Sequence, residues 1–266
     1  MNKIKILYED KDILAIDKPS GISVHADGRS KEKTIADWFV KNYPKAKNVG
    51  EPMKVSLGAL EFENFSSCSL TRVRGGTLGD KNFQILLRPG VVHRLDKDTS
   101  GVLLLVKNKK AFEFLKNKFK NREIKKIYNI VVSGFMKEDH GFINKPIGRS
   151  PSDFRRRLSG RGARGELKEA VTEYKVLKKI EDNKGNKFSF LEVKPKTGRT
   201  HQIRVHMKFL NKPVVCDSLY DPKGPCPKEL GRLALHAKSI EFKNLKGKII
   251  KIESPLPKEF KKFISI

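Results

Sequence analysis

Hydrophobic and polar positions alternate from the start of the chain. Residues 4–17 read as two short strands, Ile4–Tyr8 and Ile13–Asp17, joined at Glu9-Asp10-Lys11-Asp12. Thr34 then has the position of an N-cap, with Asp37 three residues on, and Ile35, Trp38 and Phe39 give a helical stripe that Pro44 ends. A second helix is predicted over Lys109–Lys120, with Phe112, Leu115 and Phe119 on one face. Between them the uninterrupted apolar run Val102–Val106 reads as a buried strand. Further strands are expected at Lys126–Ser133, Val171–Lys178 and Lys187–Lys194, the last two joined by a hairpin turn at Asn183–Asn186. A helix from about Thr200 to Leu210 is closed by Asn211 and Pro213, and a last hairpin pairs Ser239–Phe242 with Lys248–Ile252. Strands dominate and do not alternate regularly with helices. The expected class is α+β with a mostly antiparallel or mixed sheet, and no internal repeat is present.

Charge sharpens the picture. Among 266 residues, 57 Lys and Arg face 30 Asp and Glu, a formal net charge of +27. That excess opposes compaction and favours a polyanionic partner, nucleic acid before an anionic membrane surface. No apolar run approaches the roughly 20 residues of a transmembrane helix, and the N-terminus has no signal-peptide core. The three cysteines, Cys68, Cys216 and Cys226, are few, odd in number and without a CxxC spacing. They argue against a disulfide framework, for a reducing cytoplasm, and against structural zinc.

Two segments differ from the rest. Lys54–Leu87 holds only 7 charged residues in 34 and is rich in Ser and Gly. It reads as an insertion, an ordinary surface loop or a non-genuine translated segment, looped out rather than threaded through a site. Arg149–Arg164 carries six Arg interleaved with Gly and Ser. By composition it is a solvated, mobile loop in the free protein. The favoured functional reading is a phosphate clamp for RNA that orders on binding, because guanidinium groups fork onto phosphate.

The residues with the most chemical content are His93-Arg94-Leu95-Asp96-Lys97-Asp98-Thr99-Ser100-Gly101. A tight turn before a buried strand holds Asp96 at the strand's mouth, where a neighbouring guanidinium can control its charge. Read alone, Arg94 and Asp96 would be a surface ion pair. This segment, however, resembles the catalytic loop of the RluA-type pseudouridine synthases, which isomerise uridine in structured RNA. Four more segments agree in the family's order: Asp17–Gly21, Lys126–Tyr128, Lys196–His206 and Leu233–Ala237. The resemblance covers nearly the whole chain apart from the insertion at about 54–87.

The resemblance implies a single catalytic domain over residues 1–266, with a long central sheet, flanking helices and a cleft across its middle. No separate N-terminal RNA-binding domain is expected, so target selection falls to the domain's own grooves. The expected partner is structured RNA, ribosomal or transfer, acted on in the cytoplasm by a monomer without a membrane. No cofactor is expected, because breaking C1′–N1 and joining C1′ to C5 needs no redox change. Asp96 is implied as the essential carboxylate, Arg204 as the arginine that pairs with it and keeps it ionised, and Tyr128 as a residue near the flipped base, placed to stack and to move a proton. Leu95 and Ile203 are implied as apolar walls for uracil, and Arg94 as the filler of the space the nucleotide leaves. Lys196 and Arg199 are candidate phosphate contacts or helix-capping residues; Arg155, Arg156 and Arg157 belong to the phosphate clamp.

Plainer roles exist for each. Tyr128 and Ile203 would otherwise be core, Arg204 a surface charge, and Asp98 a turn-forming residue before Thr99. His93, His201, His206 and His236 lack metal-ligand spacing and read as hydrogen-bonding scaffold. Lys18-Pro19-Ser20-Gly21 reads first as a rigid turn. The competing function is a non-catalytic RNA-binding or assembly factor on the same fold, which charge supports equally. The intact set Asp96, Tyr128 and Arg204 favours the enzyme. A membrane-surface protein has only the charge in its favour, with no strongly amphipathic basic helix carrying Trp or Phe anchors to support it.

Overall fold

The structure, a computed structural model, describes residues 4–26, 32–56, 83–160 and 162–265. It divides into two compact units. The first comprises Met1–Lys97 and Leu103–Asn121; the second comprises Asp98–Val102 and Arg122–Ile266.

The first unit opens with a hairpin of β1 (Lys5–Glu9) and β2 (Ile13–Lys18). The Asp10 carboxylate shapes its turn by accepting the amides of Asp12 and Ile13 at 2.8 and 2.7 Å. Helix α1 (Ile35–Asn42) begins at a full capping box, in which Thr34 and Asp37 satisfy each other's amides. Its buried face is Ile35, Ala36, Phe39 and Val40. Strands β3 (Met53–Ser56) and β4 (Phe83–Leu86) pair antiparallel, with Met53 opposite Leu86 and Ser56 opposite Phe83. Most of the expected insertion, residues 57–82, lies outside the described residues, so its looping-out does too. The later part of β5 (Ser100–Val106) lies beside β2 and is wholly buried, as an unbroken apolar run requires. Helix α2 (Lys109–Lys120) starts where the Asn108 side chain accepts the Ala111 amide at 2.9 Å, and buries Ala111, Phe112 and Leu115.

The second unit is built on a mixed sheet. Its strands are β6 (Lys125–Ser133), β7 (His140–Asn144), β11 (Val171–Glu181), β12 (Lys187–Pro195), β13 (Leu235–Lys243) and β14 (Ile249–Glu253). Their order is β13-β6-β12-β11-β7, with β14 also on β13, and the start of β5 joins β13 in parallel. Gly101 makes that last pairing possible. At φ 108° it lies so close to the Ala237 backbone that a Cβ would collide with it. A smaller sheet orders β10 (Arg164–Lys168), β8 (Ile147–Arg149) and β9 (Arg157–Ser159). Helices α3 (Gln202–Phe209) and α4 (Lys258–Ile264) complete the unit. Buried Ile130, Val132, Phe188, Leu191, Met207, Phe260 and Phe263 share one core, with Phe188 and Phe263 edge to face.

Two expectations change. The arginine-rich segment is not a featureless loop: its ends are β8, β9 and β10, and the Ser150 amide reaches the Arg156 carbonyl at 3.2 Å. Composition missed this because the strands are three to five residues long and highly charged. The cysteines are not all free either: Cys216 and Cys226 form a disulfide. Cys216 takes a left-handed conformation at φ 59°, and the following turn brings the two Cα atoms to 4.6 Å. Cysteine usage therefore no longer argues for a reducing compartment. Among the described residues, no helix is long and apolar enough to cross a membrane.

Candidate active site

In the first unit, the loop leading to Asp96 is fixed from several sides. His93 accepts the Leu104 amide at 2.9 Å and stacks on Phe119 with ring centroids 4.8 Å apart. Leu95 is buried, Arg94 exposed and Asp96 partly exposed. The carboxylate is thus less buried than a site inside the strand would make it, because β5 starts only at Ser100. The residue after it is held firmly. Lys18 is completely buried, and its ammonium donates to the carbonyls of Lys97 and Pro19, both at 2.8 Å. Gly21, at φ 83°, donates its amide to the same Lys97 carbonyl at 3.0 Å. The Lys18–Gly21 turn is therefore a clamp on the Asp96 loop. A buried lysine that satisfies backbone carbonyls carried no periodic signal in the sequence. Arg88 also adjoins Arg94; burial pushes its guanidinium below the usual arginine range, Glu51 opposes this and the Arg94 charge adds to it.

In the second unit, Tyr128 is central in β6, opposite Val193 of β12 and Ala237 of β13, and partly exposed. Lys126 shares its face two residues earlier. The Lys126 ammonium reaches the Thr197 carbonyl at 3.3 Å, and burial pushes its pKa down to about 8. That bond ties β6 to the Lys196–Arg199 turn, which opens α3. Gln202 organises the turn: its carbonyl oxygen accepts from Thr197 Oγ1 at 2.7 Å and from the Arg199 amide at 3.0 Å. Its amide group donates to the Val171 carbonyl and to Thr172 Oγ1, both at 3.0 Å. Lys196 pairs with Glu173 at 2.6 Å, and Arg199 Nε donates to the Glu169 carbonyl at 2.9 Å. Both therefore brace the turn that the sequence offered as a phosphate contact.

Ile203 and Arg204 are buried at the start of α3. Arg204 donates from Nε and Nη2 to the two carboxylate oxygens of Asp217, each at 2.7 Å. The Tyr220 ring lies against the guanidinium at 5.0 Å. Neither partner was singled out from the sequence; the sole hint was Asp217 two and three residues before Leu219 and Tyr220, whose amides its Oδ1 accepts at 3.1 and 3.0 Å. The other histidines serve as hydrogen-bonding struts. His201 bonds the Tyr220 hydroxyl at 2.9 Å, His206 bonds Thr172 and the Lys145 carbonyl, and His236 bonds Ser100 at 2.8 Å. Burial pushes His206 below the usual histidine range, towards the neutral form.

The arginine-rich sheet is partly self-satisfied. Arg155 forks onto Asp153, and that bond holds the Asp153 carboxyl down at about 2. Arg157 Nη1 donates to the carbonyls of Phe154 and Arg156, while its amide donates to the Tyr220 hydroxyl at 2.9 Å. Arg156 reaches Asp153 only at 3.9 Å.

Comparison with known proteins follows the same lines. The RNA pseudouridylate synthase family model matches residues 12–209. An uncharacterized RNA pseudouridine synthase of Bacillus subtilis, YlyB, is 32% identical over 262 residues, 98% of this chain and 72% of the relative. Ribosomal large subunit pseudouridine synthase D of Borreliella burgdorferi is 33% identical over 262 residues, 98% of this chain and 68% of the relative. The solved human RNA pseudouridylate synthase domain containing 4 matches in fold with a TM-score of 0.67 at 23% identity, covering 98% of this chain and 92% of that one. The α+β fold is that of the pseudouridylate synthase domains, and the enzyme class is that of isomerases acting on RNA. The chain belongs to the RNA pseudouridine synthase family, of the RluA type.

Proposed function

We propose that this chain converts a particular uridine of structured RNA, ribosomal or transfer, to pseudouridine, with Asp96 as its essential carboxylate. The observation that carries the assignment is the clamp on the Asp96 loop. The buried Lys18 ammonium and the Gly21 amide converge on the carbonyl of Lys97, so the backbone beside the carboxylate is preorganised. A stacked uracil must first leave the helix. Arg94, exposed on the loop, takes the space it vacates, and Leu95 and Ile203 bound the ring. Asp96 assists cleavage of the C1′–N1 bond; the base turns, C1′ joins C5, and the C5 proton is lost as N1 gains one. Tyr128 stacks on the base and serves that proton transfer. Arg204 pairs with Asp96, and Arg155 and Arg156 engage phosphate. Atoms balance within the uridine and solvent, so the reaction calls for no redox partner.

Asp96→Asn tests this directly. Single-turnover tritium release from C5-labelled RNA is expected to fall at least a thousandfold, while RNA affinity stays within about threefold. Near-normal turnover by the Asn variant would remove Asp96 from its role.

A further inference from the structure

We infer that Phe154 is a stacking platform for an unpaired nucleobase of the RNA. The inference rests on the reading of Arg155 and Arg156 as phosphate contacts and deepens it, adding a base contact to the same turn. Phe154 is 67% exposed, yet the main chain beneath it is held closely. It occupies the first central position of a β-turn, closed by the Arg156 amide on the Asp153 carbonyl at 2.9 Å. The Ser150 amide reaches the Arg156 carbonyl at 3.2 Å and closes the wider loop around that turn. The Arg155 amide donates to Asp153 Oδ1 at 2.9 Å, and the Arg157 guanidinium donates to the carbonyl of Phe154 itself at 3.0 Å. An aromatic side chain on a main chain fixed in this way loses little freedom when it stacks.

The surroundings of the ring choose its occupant. Arg155, Arg156 and Arg157 follow it directly in the chain. An apolar protein surface would have to cover those charges. RNA instead brings phosphates to the guanidinium groups and a flat π-face to the ring. Phe142 supplies the contrast: it is 68% exposed, but it lies on β7 opposite Glu173, with no guanidinium beside it in the chain. A perfect duplex keeps its base faces inside the stack, so the base that meets Phe154 comes from a loop, a bulge or an end. Every base has such a face, so the turn favours RNA with an unpaired nucleotide and has little regard for which base it carries.

The test uses the full chain, with each variant checked for folding by circular dichroism, and two probes. One is a hairpin RNA with an all-uridine loop; the other is a perfectly paired RNA duplex of the same length. Filter binding over a range of salt is the readout. Phe154→Ala is expected to weaken hairpin binding about fivefold or more and duplex binding less than about twofold, with the slope of log K against log salt unchanged. Phe154→Trp, which keeps a π-face, is expected to bind the hairpin as the parent does. Phe154→Leu, apolar without a π-face, is expected to behave as the Ala variant. Parental hairpin binding by the Ala or the Leu variant overturns the inference, as does an equal loss on both probes. The double variant Arg155→Ser with Arg156→Ser separates the two readings. If its salt slope is unchanged, the phosphate reading has failed; if its slope flattens while Phe154→Ala binds as the parent does, only the stacking has failed. If Phe154→Ala leaves RNA binding intact but abolishes self-association of the chain in sedimentation, the ring is a contact between copies and the inference is likewise overturned.

Discussion

At the scale of single residues, the charges in this chain divide into those exposed to solvent and a few that are buried. Lys18, Arg204 and Asp217 belong to the second group, and each is satisfied by carbonyls or a fork. Lys126 stands between the groups, with one long bond to Thr197 and a pKa pushed down to about 8 by burial. Its linkage has a definite sign. Between pH 8 and the ordinary lysine value of 10.5, the folded protein has released a proton that the unfolded chain still holds. Stability therefore rises with pH across that window, and below it the charged form is carried at a cost. Lys126→Met should be more stable than the parent at pH 7, by about 3 kcal/mol at most, with the advantage shrinking towards pH 10.5. Urea unfolding at several pH values measures this; parallel curves for the two proteins would contradict it. The motif residues Asp96, Tyr128 and Arg204 were visible in the sequence through their order and neighbours. Lys18 was visible only as part of a rigid turn, and Asp217 and Tyr220 were not singled out, because their roles depend on contacts between distant segments.

At the scale of elements, legibility followed length and period. Helix α2 was bounded correctly by its apolar stripe, and α1 by its capping box, because both signals are local. Strands β6, β11 and β12 were found, each extending a little beyond its expected span. Helix α4 was missed because its seven residues offer only Phe260 and Phe263 as a stripe. The β8–β9–β10 sheet was missed because its strands are short and charged, and the disulfide because a cysteine count holds no geometry. The sheet changes how the arginine-rich segment must meet RNA. Arg157 braces its own turn and Arg155 rests on Asp153, a bond it exchanges when it engages phosphate, so the segment presents an ordered edge whose charges are partly occupied in the free protein. Arg155→Ser with Arg156→Ser should flatten the slope of log K against log salt by about one to two, since each phosphate contact contributes about 0.7–0.9. Arg157 is left in place to keep the turn intact. A slope unchanged within error in filter binding would show that this sheet does not touch RNA.

At the scale of the whole molecule, the balance lies between a charge of +27, which draws the chain to RNA, and the cores that must hold against it. The segment around residues 54–87 is an exception to that economy of charge. It is poor in charge where the rest is rich, and it separates Glu51, paired with Lys116, from Arg88. The structure gives its two ends a simple relation: β3 and β4 run antiparallel, with Met53 opposite Leu86. Across such a pair the chain ends already lie about 5 Å apart, so what the pair encloses can be removed without stretching the backbone. The anchors on either side are made between residues outside the enclosed segment. Gly90 donates its amide to the Val49 carbonyl at 2.6 Å, and Val106 returns to the Gly90 carbonyl at 2.9 Å. Joining Met53 directly to Leu86 is therefore expected to preserve folding and the single-turnover rate. It should leave the melting temperature equal or slightly raised, because shortening a closed loop recovers entropy only logarithmically, about 0.6 kcal/mol per halving. Calorimetry and the tritium-release assay on the shortened chain decide the matter. Loss of folding would show that the segment contributes to the core of the first unit. A folded chain that still isomerises uridine, but at the wrong positions, would make the segment a determinant of RNA choice.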